Sequence, residues 1–319
     1  MKNTTIKSLV VTQVKDGTLT PFVLSQALFN RWISFVEAKP RTIEAYSKAI
    51  NYFLQWTHTK GITKPTRADI LAYRDYLKDN HKPTTVKSYL SAVKLFFQWT
   101  SQEGIFPNVA DHVKGVKITN EFKKDYLTSK QVSKLLNTVK KDDLAGLRDY
   151  AIMALTVTSG LRTVEVVRAN IEDLRPVADF TALYLQGKGR DEKAEYVKVP
   201  FVVEEAIRAY LNARGETNPK APLFASISRN NKGGRLTTRA ISGMCKSNFI
   251  EAGLNSERIT AHSLRHTTAT LNLLNGGTLS ETQQLLRHKN INTTMIYSHH
   301  LERAKNNSEE RIAKAIFGN

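Results

Sequence analysis

The apolar positions in the first hundred residues recur with the period of an α-helix. The first run begins at Leu24 and stops before Pro40, and its apolar members are Leu28, Trp32, Phe35 and Val36. Such spacing gathers apolar side chains on one face and predicts a helix with a buried stripe. Residues 1–20 are polar with scattered valine and leucine, and we expect them to form an extended arm.

One helical pattern then occurs twice. Residues 42–57 read TIEAYSKAINYFLQWT and residues 85–100 read TVKSYLSAVKLFFQWT. Each copy starts at a threonine, a favourable N-cap residue, and is followed by a glycine stop at Gly61 or Gly104. With a short helix between them, at 67–78 behind the N-cap Thr66, the two copies predict a small pseudo-symmetric bundle. Its tryptophan and phenylalanine side chains are expected in the core, and its outward lysines, which phosphate could reach, are Lys48, Lys87 and Lys94.

A second domain is predicted after residues 107–126, which lose the helical period and gain charge. Thr128 and Ser129 cap the next helix, and residues 148–159 are almost entirely apolar, as in a buried central helix. Two β-rich runs, 182–186 and 194–200, predict a hairpin with a lysine at its turn. The remaining predicted helices lie at 204–213, 238–252, around His262, at 279–288 and, as an amphipathic tail, at 301–317.

The charge of the chain indicates a polyanionic partner. It contains 47 Lys and Arg residues and 29 Asp and Glu residues, which gives a formal charge of +18. The excess is +9 in residues 1–120 and +9 in residues 121–319, so both domains are expected to face the polyanion. Such a charge favours nucleic acid over a membrane surface, with a basic protein that is merely soluble as the alternative.

The composition also indicates a compartment. A single cysteine, Cys245, excludes an intrachain disulfide and fits a reducing environment. The first residues lack the apolar core of a signal peptide, and no run approaches the roughly 18 apolar residues of a membrane span. We therefore expect a cytoplasmic protein with no membrane partner.

Several side chains of the second domain suit chemistry on a phosphodiester. Arg162 follows the apolar run, and His262 and Arg265 share one helical face at i, i+3 spacing. Arginine binds anionic oxygens through a planar fork that stays charged. For Arg162 alone, a salt bridge to Glu165 or Glu172 is the more ordinary interpretation.

A zinc site is the alternative for this helix, because His262 and His266 are spaced i, i+4. A metalloprotease helix carries glutamate directly after its first histidine, whereas this chain has Ser263. With one cysteine and no obvious third ligand, zinc is not favoured. His266 is expected to pack or to form a hydrogen bond inside the domain.

Tyr297 is the candidate nucleophile. A phenol has a pKa of about 10, so it needs a nearby base or a strong positive field. His288 or His262 would supply the base, and the two arginines the field. Lys188, at the predicted hairpin turn, could deliver a proton to the leaving oxygen. Taken singly, Tyr297 is typical of a half-buried surface residue and Lys188 of a solvated turn lysine.

Four sequence boxes resemble those of the tyrosine recombinase, or phage integrase, family, and their layout is most similar to the small Xer type. The boxes are residues 159–165, 187–189, 262–267 and 286–297, which occur in the family's order. The resemblance covers residues 22–315, densely in the second domain and weakly in the first. One departure is Arg287, since many relatives have glycine before the histidine.

The resemblance implies that Tyr297 attacks the scissile phosphate, which gives a 3′-phosphotyrosyl link and a free 5′-hydroxyl. Arg162 and Arg265 would bind the nonbridging oxygens, and His288 would hold a phosphate oxygen.

Three further roles follow from the same resemblance. His262 would act in acid–base transfer, Lys188 would protonate the leaving 5′-oxygen, and Glu165 would give structural support. Because the covalent link stores the bond energy, no ATP, metal or other cofactor is implied.

The implied fold is mainly α-helical with a small β-sheet. A helical, SAM-like core-binding domain would occupy residues 21–108 and a mixed α/β catalytic domain residues 127–300, forming a C-shaped clamp on DNA. The other segments would be an N-terminal arm (1–20), a linker (109–126) and a C-terminal helix exchanged between protomers (301–319).

The implied function is site-specific recombination of double-stranded DNA in the bacterial nucleoid. Four protomers, or a paired recombinase, would assemble on core sites with inverted repeats, and no small-molecule substrate is expected. Integration and excision of a mobile element and resolution of chromosome dimers both fit the short chain. Two rivals stay open: a catalytically silent DNA-binding protein of the same fold, and a type IB topoisomerase.

Overall fold

The structure is a computed structural model that describes residues 13–15, 18–20, 26–117, 125–186 and 192–318. The chain divides into two compact units, Met1–Asn120 and Glu121–Asn319. The expected fold class, mainly α-helical with a small sheet, is confirmed.

Four helices lie in the described part of the first unit: α1 (Gln26–Val36), α2 (Pro40–Thr59), α3 (Arg67–Asn80) and α4 (Pro83–Gln102). Their apolar faces meet in one core, and its largest fully buried members include Trp32, Phe53, Tyr73 and Trp99. The expected burial of the repeated aromatic residues is therefore confirmed. In α1, by contrast, Phe35 is 40% exposed.

The two copies of the repeat form α2 and α4, each 20 residues long. The predicted threonine N-caps, Thr42 and Thr85, are wrong, because the helices begin at Pro40 and Pro83. Proline fits the first helical position because its φ is already helical and the N–H it lacks would have no partner there. Each helix therefore starts three residues earlier than a threonine N-cap would place it.

The predicted glycine stops are confirmed. Gly61 and Gly104 adopt φ values of 65° and 66°, which only glycine reaches without steric cost. The N–H groups of Ile62 and Ile105 then return to the carbonyls of the threonines in the two QWT motifs. The N-cap Thr66 of α3 is confirmed as well, as part of a capping box.

The segments that flank this bundle differ from the expectation. Gln13–Lys15 (β1) and Thr18–Thr20 (β2) pair as antiparallel strands, where the sequence predicts an extended arm. After α4, Ala110 and Val113 are buried in the core of the first unit. That core thus extends into the segment that the sequence predicts as a linker.

Nine helices lie in the described part of the second unit. They are α5 (Ser129–Thr138), α6 (Leu144–Ser159), α7 (Thr163–Arg168), α8 (Phe201–Arg214), α9 (Thr238–Glu251), α10 (Ala261–Leu274), α11 (Leu279–Leu286), α12 (Asn292–Lys305) and α13 (Ser308–Phe317). Helix α6 is the predicted central helix, and Ile152, Met153 and Leu155 on it are fully buried. It begins four residues earlier than predicted, behind the N-cap Asp143.

The sheet is antiparallel, with the strands in chain order: β3 (Leu174–Val177), β4 (Phe180–Leu185) and β5 (Glu195–Val199). The predicted hairpin is confirmed as β4 and β5, and its register sets Leu183 opposite Val197 on the buried face. Strand β3 was not predicted, because it is short and contains Pro176, which only an edge strand tolerates. Residues 187–191, which contain Lys188 and the predicted turn, lie outside the described residues.

The end of the chain folds differently from the prediction. Tyr297, for which no element was predicted, lies in α12. The predicted tail helix at 301–317 is divided between the end of α12 and α13, with a break at Asn306 and Asn307. Asparagine has a low helix propensity, which favours a break at this pair. Within the described ranges, none of the helices combines the length and apolar character needed to cross a bilayer.

Candidate active site

Five predicted site residues lie at the ends or along the faces of four helices in the second unit. Arg162 is the N-cap of α7, and His262 and Arg265 lie on α10. His288 follows α11 by two residues, and Tyr297 lies on α12. The sixth residue, Lys188, lies outside the described residues. Helix α10 packs against α6, α11 and α12, which brings these side chains together.

Gly160 makes the turn from α6 towards α7. Its φ is 60°, in the left-handed region, and a β-carbon there would lie 2.6 Å from Cδ2 of Leu286. Its carbonyl accepts hydrogen bonds from the guanidinium groups of Arg265 and Arg287. A glycine is therefore required both by the backbone conformation and by the close approach of α11.

Arg162 and Glu165 form an ion pair, with Nη1 2.8 Å from Oε1. The backbone N–H of Arg162 also donates to Oε2 of Glu165 at 2.8 Å. The ordinary interpretation of Arg162 as the partner of Glu165 is thus confirmed. The side chain of Arg162 is nevertheless 27% exposed, and one carboxylate does not use all five N–H donors of its guanidinium.

Arg265 is 2% exposed, and its guanidinium donates to the carbonyls of Gly160 and Leu286. Among the described residues it forms no ion pair. Burial, with Arg162 and Arg287 nearby, lowers the pKa of Arg265 to about 9. A buried cation whose acceptors are neutral carbonyls is stabilised by an anion, so this position favours phosphate.

Arg287 adds a third guanidinium, which the sequence shows only as a departure from the family pattern. Its Nη2 lies 2.9 Å from Oε2 of Glu165. Burial would raise the pKa of Glu165, but the charges of Arg287 and Arg162 and the backbone N–H of Arg162 outweigh it, and the pKa is lowered. Glu165 is therefore ionised and is shared by two arginines.

His288 is held by a buried threonine. Its Nδ1 lies 2.8 Å from Oγ1 of Thr294, which is fully buried. Burial, together with Arg265 and Arg162, lowers the pKa of His288 to about 4. His288 is thus a neutral imidazole at neutral pH. When the Thr294 hydroxyl donates to Nδ1, the ring hydrogen is on Nε2 and can be donated to a ligand oxygen.

The phenol of Tyr297 forms a hydrogen bond with His266. Its hydroxyl lies 2.6 Å from Nδ1 of His266, and the residue is 5% exposed. Burial raises the pKa of Tyr297 to about 12, against the lowering effect of Arg265 and Arg162. The phenol is therefore protonated at neutral pH and needs a base when it reacts.

His266 was expected only to pack or bond internally, and the base was sought at His262 or His288. The i, i+4 spacing of His262 and His266 was the available signal, since it stacks the two rings edge to face, with centroids 4.6 Å apart. From the sequence, that spacing raises a zinc site as an alternative, which is not favoured. The described residues contain no group of three His, Cys, Asp or Glu side chains that could hold a metal ion.

The arrangement suits an anionic phosphodiester. Three guanidinium groups and one carboxylate leave this cluster with a net charge of +2. Such a charge stabilises the nonbridging oxygens, which gain charge in the transition state. A neutral phenol and a neutral imidazole beside it provide a nucleophile and a hydrogen-bond donor.

Comparison with known proteins gives two family matches. The N-terminal SAM-like domain of phage integrases matches residues 28–105, and the phage integrase family matches residues 125–303. The tyrosine recombinase XerC of Caldanaerobacter subterraneus subsp. tengcongensis is 34% identical over 175 residues, which are 54% of this chain and 47% of the relative. The chain spans about half the length of the curated relatives it matches.

Two solved structures show the same fold. The XerH site-specific recombinase, in a post-cleavage complex with a palindromic difH substrate, matches with a TM-score of 0.71 at 21% identity, over 90% of this chain and 85% of that one. A lambda integrase tetramer on a Holliday junction matches with a TM-score of 0.63 at 18% identity, over 85% of this chain and 76% of that one. Because the family match at residues 125–303 covers more than half of the sequence, the chain belongs to the phage integrase family.

Proposed function

We propose that the protein is a site-specific DNA recombinase that cuts and rejoins DNA through a 3′-phosphotyrosyl intermediate. The observation that carries this proposal is the buried phenol of Tyr297, bonded to His266 and within the field of Arg265 and Arg162. A phenol in this setting has a base and a positive field, the two requirements for attack on phosphate. The similarity to XerC and XerH, both named as recombinases, supports the assignment.

The attack would proceed by exchange of one ester bond for another. Oη of Tyr297 would form a bond to phosphorus while the bond from phosphorus to the 5′-oxygen breaks. The phenolic proton would pass to Nδ1 of His266, 2.6 Å away. The 5′-oxygen would take a proton from Lys188, the acid that the family resemblance implies. Rejoining would be the reverse sequence with a new 5′-hydroxyl.

The remaining residues would bind the phosphate. Arg162 and Arg265 would donate to the nonbridging oxygens, and His288 would donate through Nε2. His262 would act in acid–base transfer, next to the ring of His266. The reaction would need neither ATP nor a metal, because the phosphotyrosyl link keeps the bond energy.

DNA would be bound by both units, since each carries an excess charge of +9. In the first unit, Lys48 on α2 and Lys87 on α4 are exposed as expected, whereas Lys94 is half-buried. Phosphate contacts of this kind would fix the protein on the duplex, and base contacts and DNA shape would specify the site.

The deciding experiment traps the covalent intermediate. Duplex sites are first selected from a random pool with the Tyr297→Phe variant, and nicked versions are incubated with wild type and variant. Wild type is expected to give a phosphotyrosyl adduct, located at Tyr297 by mass spectrometry after nuclease digestion. The variant is expected to bind without forming it. An adduct formed by the variant, or none formed by wild type, would contradict the proposal.

The adduct assay tests the first rival, and a supercoil-relaxation and strand-exchange assay tests the second. A catalytically silent DNA-binding protein would give no adduct with any selected site. A type IB topoisomerase would relax supercoiled DNA without site preference, whereas a recombinase exchanges strands between two copies of its site.

For the biological role of the recombinase, we favour integration and excision of a mobile element over resolution of chromosome dimers. Inverted repeats of about 11 bp around a short spacer near the coding region, close to one helical turn, would define the substrate.

Assembly would involve four protomers on two sites in the bacterial nucleoid, with the last helix docked on a neighbour. Helix α13 supports this because its apolar residues Ile312, Ile316 and Phe317 are 58%, 67% and 76% exposed. An apolar stripe of this kind is stabilised when it is covered by another surface. The similar lambda integrase fold occurs as a tetramer on a Holliday junction.

A further inference from the structure

Arg287 occupies a backbone conformation that disfavours any residue with a β-carbon. It is the C-cap of α11, with φ 53° and ψ 46°, in the left-handed region. Glycine adopts this conformation without steric cost, whereas arginine is strained there. The position therefore carries an arginine although glycine would be locally more stable, which indicates that the side chain has a use.

That side chain is directed into the protein. It is only 5% exposed, and its terminal nitrogens donate to Oε2 of Glu165 at 2.9 Å, to the carbonyl of Leu285 at 2.7 Å and to that of Gly160 at 3.2 Å. Its Nε is buried without a partner in the described part of the chain. A buried cation is costly unless it is paired, so the ion pair with Glu165 is the main stabilising contact.

Glu165 has two arginine partners, one for each carboxylate oxygen. Oε1 accepts from Arg162 and Oε2 from Arg287. Without Arg287, the carboxylate would face Arg162 alone, and the two opposite charges would cancel. The cluster of Arg162, Arg265, Arg287 and Glu165 has a charge of +2, and it would have +1 with a glycine at position 287.

We propose that Arg287 is a positioning residue of the phosphate site, which neutralises Glu165 so that the charge of Arg162 stays available to the scissile phosphate. This proposal rests on the proposed function, to which the phosphate belongs. Arg287 acts through Glu165 and Arg162, since its guanidinium is occupied by the carboxylate and by backbone carbonyls. Its effect is electrostatic and reaches the scissile phosphate indirectly, through Glu165 and Arg162.

A purely structural role for Arg287 gives a different expectation. In that case the ion pair would only tie the turn between α6 and α7 to the end of α11, and loss of either partner would loosen it. Removing Glu165 in addition to Arg287 would then do further harm. In the electrostatic role, removing Glu165 compensates for the loss of Arg287, because the charge of the cluster returns from +1 to +2.

The test therefore compares Arg287→Gly, Glu165→Gln and the double variant. The first readout is the rate of phosphotyrosyl formation on a nicked duplex that bears the selected site. The second is measured in the Tyr297→Phe background, as the ratio of affinities for that duplex with a scissile phosphate and with a neutral methylphosphonate. Only the second is independent of cleavage.

We expect Arg287→Gly to lower the cleavage rate about tenfold. Loss of a hydrogen-bond donor that contacts the transition state lowers the rate about 10²–10³-fold, and Arg287 acts only indirectly. The phosphate-to-methylphosphonate affinity ratio should fall with it. The double variant Arg287→Gly, Glu165→Gln should recover most of the rate and of the ratio. Arg287→Lys should keep most of both, whereas Arg287→Met, with the same backbone strain and no charge, should lose them.

Two results would overturn the proposal: a double variant as slow as or slower than Arg287→Gly, or an Arg287→Gly variant with the wild-type rate and ratio. Circular dichroism and thermal unfolding show whether each variant folds, and the comparison of Lys with Met stands even if the glycine variant does not. A wild-type protein that forms no adduct would count against the proposed function alone. The affinity ratios would still decide the role of Arg287.

Discussion

Nδ1 of His266 lies 2.6 Å from the hydroxyl of Tyr297, and this contact links α10 to α12. The two residues are 31 positions apart in the chain. Because burial raises the pKa of Tyr297 to about 12, the phenol is protonated at neutral pH, and in the proposed attack it would have to lose that proton. His266 is the residue in position to take that proton.

Replacement of His266 should separate proton transfer from positioning. His266→Ala is expected to slow phosphotyrosyl formation about 10²-fold, the lower end of the range for general acid–base groups. His266→Asn keeps a hydrogen-bonding atom near Nδ1 but no base, so it should be about as slow. Single-turnover rates between pH 6 and 10 provide the measurement, and both variants should gain rate with pH more steeply than wild type. A His266→Ala rate equal to wild type would refute the role, and a fast asparagine variant would reduce it to positioning.

His288 should make the free energy of unfolding depend on pH in the acid range. Its pKa in the folded state is about 4, against about 6.5 for the unfolded chain. Between these values the unfolded state binds a proton that the folded state does not, so stability falls as pH drops from 6.5 towards 4. With allowance for solvent screening of this half-buried ring, the loss is about 1–2 kcal/mol.

The measurement for His288 is urea unfolding at pH 7 and pH 4.5. His288→Asn is expected to lose less free energy of unfolding between these pH values than wild type does. His112→Asn is the control, since that side chain is 88% exposed, and it should follow wild type. Equal pH dependence of all three proteins would show that His288 is not the group responsible.

Gly160→Ala should destabilise the second unit more than an alanine at another left-handed glycine. Its β-carbon would meet Leu286 at 2.6 Å, whereas Gly215, with φ 67°, has open space around it. We expect Gly215→Ala to cost about 1 kcal/mol from backbone strain and Gly160→Ala about 2–4 kcal/mol from strain and overpacking. Urea unfolding compares them, and only Gly160→Ala should also abolish adduct formation, because its carbonyl holds Arg265. Equal effects of the two substitutions would contradict this.

Tyr73 carries a buried hydroxyl that has no hydrogen-bond partner among the described residues. Tyr73→Phe should therefore leave the first unit equally stable or raise its free energy of unfolding by up to about 1 kcal/mol. Tyr210 is the matched control, since its hydroxyl accepts a hydrogen bond from the N–H of Ala225 at 3.1 Å. Tyr210→Phe should cost about 1–3 kcal/mol. Thermal unfolding of both variants decides, and a clear loss for Tyr73→Phe would disprove the expectation.

The last helix should matter for assembly and not for folding. Ile312→Ser and Ile316→Ser change side chains that are more than half exposed, so thermal stability should stay within about 0.5 kcal/mol of wild type. Cooperative assembly on a two-site duplex should be lost, as it should with residues 306–319 deleted, a truncation that leaves α12 complete. Gel-shift titrations show the change, with Glu309→Gln and Glu310→Gln on the same helix as controls. Undiminished cooperativity would reject the exchange of this helix.

The amino-acid sequence by itself determined much of the local structure. Helical period, the threonine and glycine that end helices, and the β-rich runs act over a few residues, so α3, α6 and the β4–β5 hairpin could be predicted. The same local rules failed where two signals competed. At Pro40 and Pro83, a proline that stops one helix also starts the next, and the threonines that follow lost the N-cap position.

The sequence also contained the catalytic candidates, because the boxes around Arg162, His262 and Tyr297 are local patterns. Their partners were decided only by the tertiary structure. His266 meets Tyr297 across 31 positions, and Arg287 meets Glu165 across 122. Burial, which shifts the pKa of a phenol or an imidazole, depends on how helices pack and has no counterpart in residue spacing. The sequence therefore determines which groups are present, and the packing of α10, α11 and α12 determines which of them lie in contact.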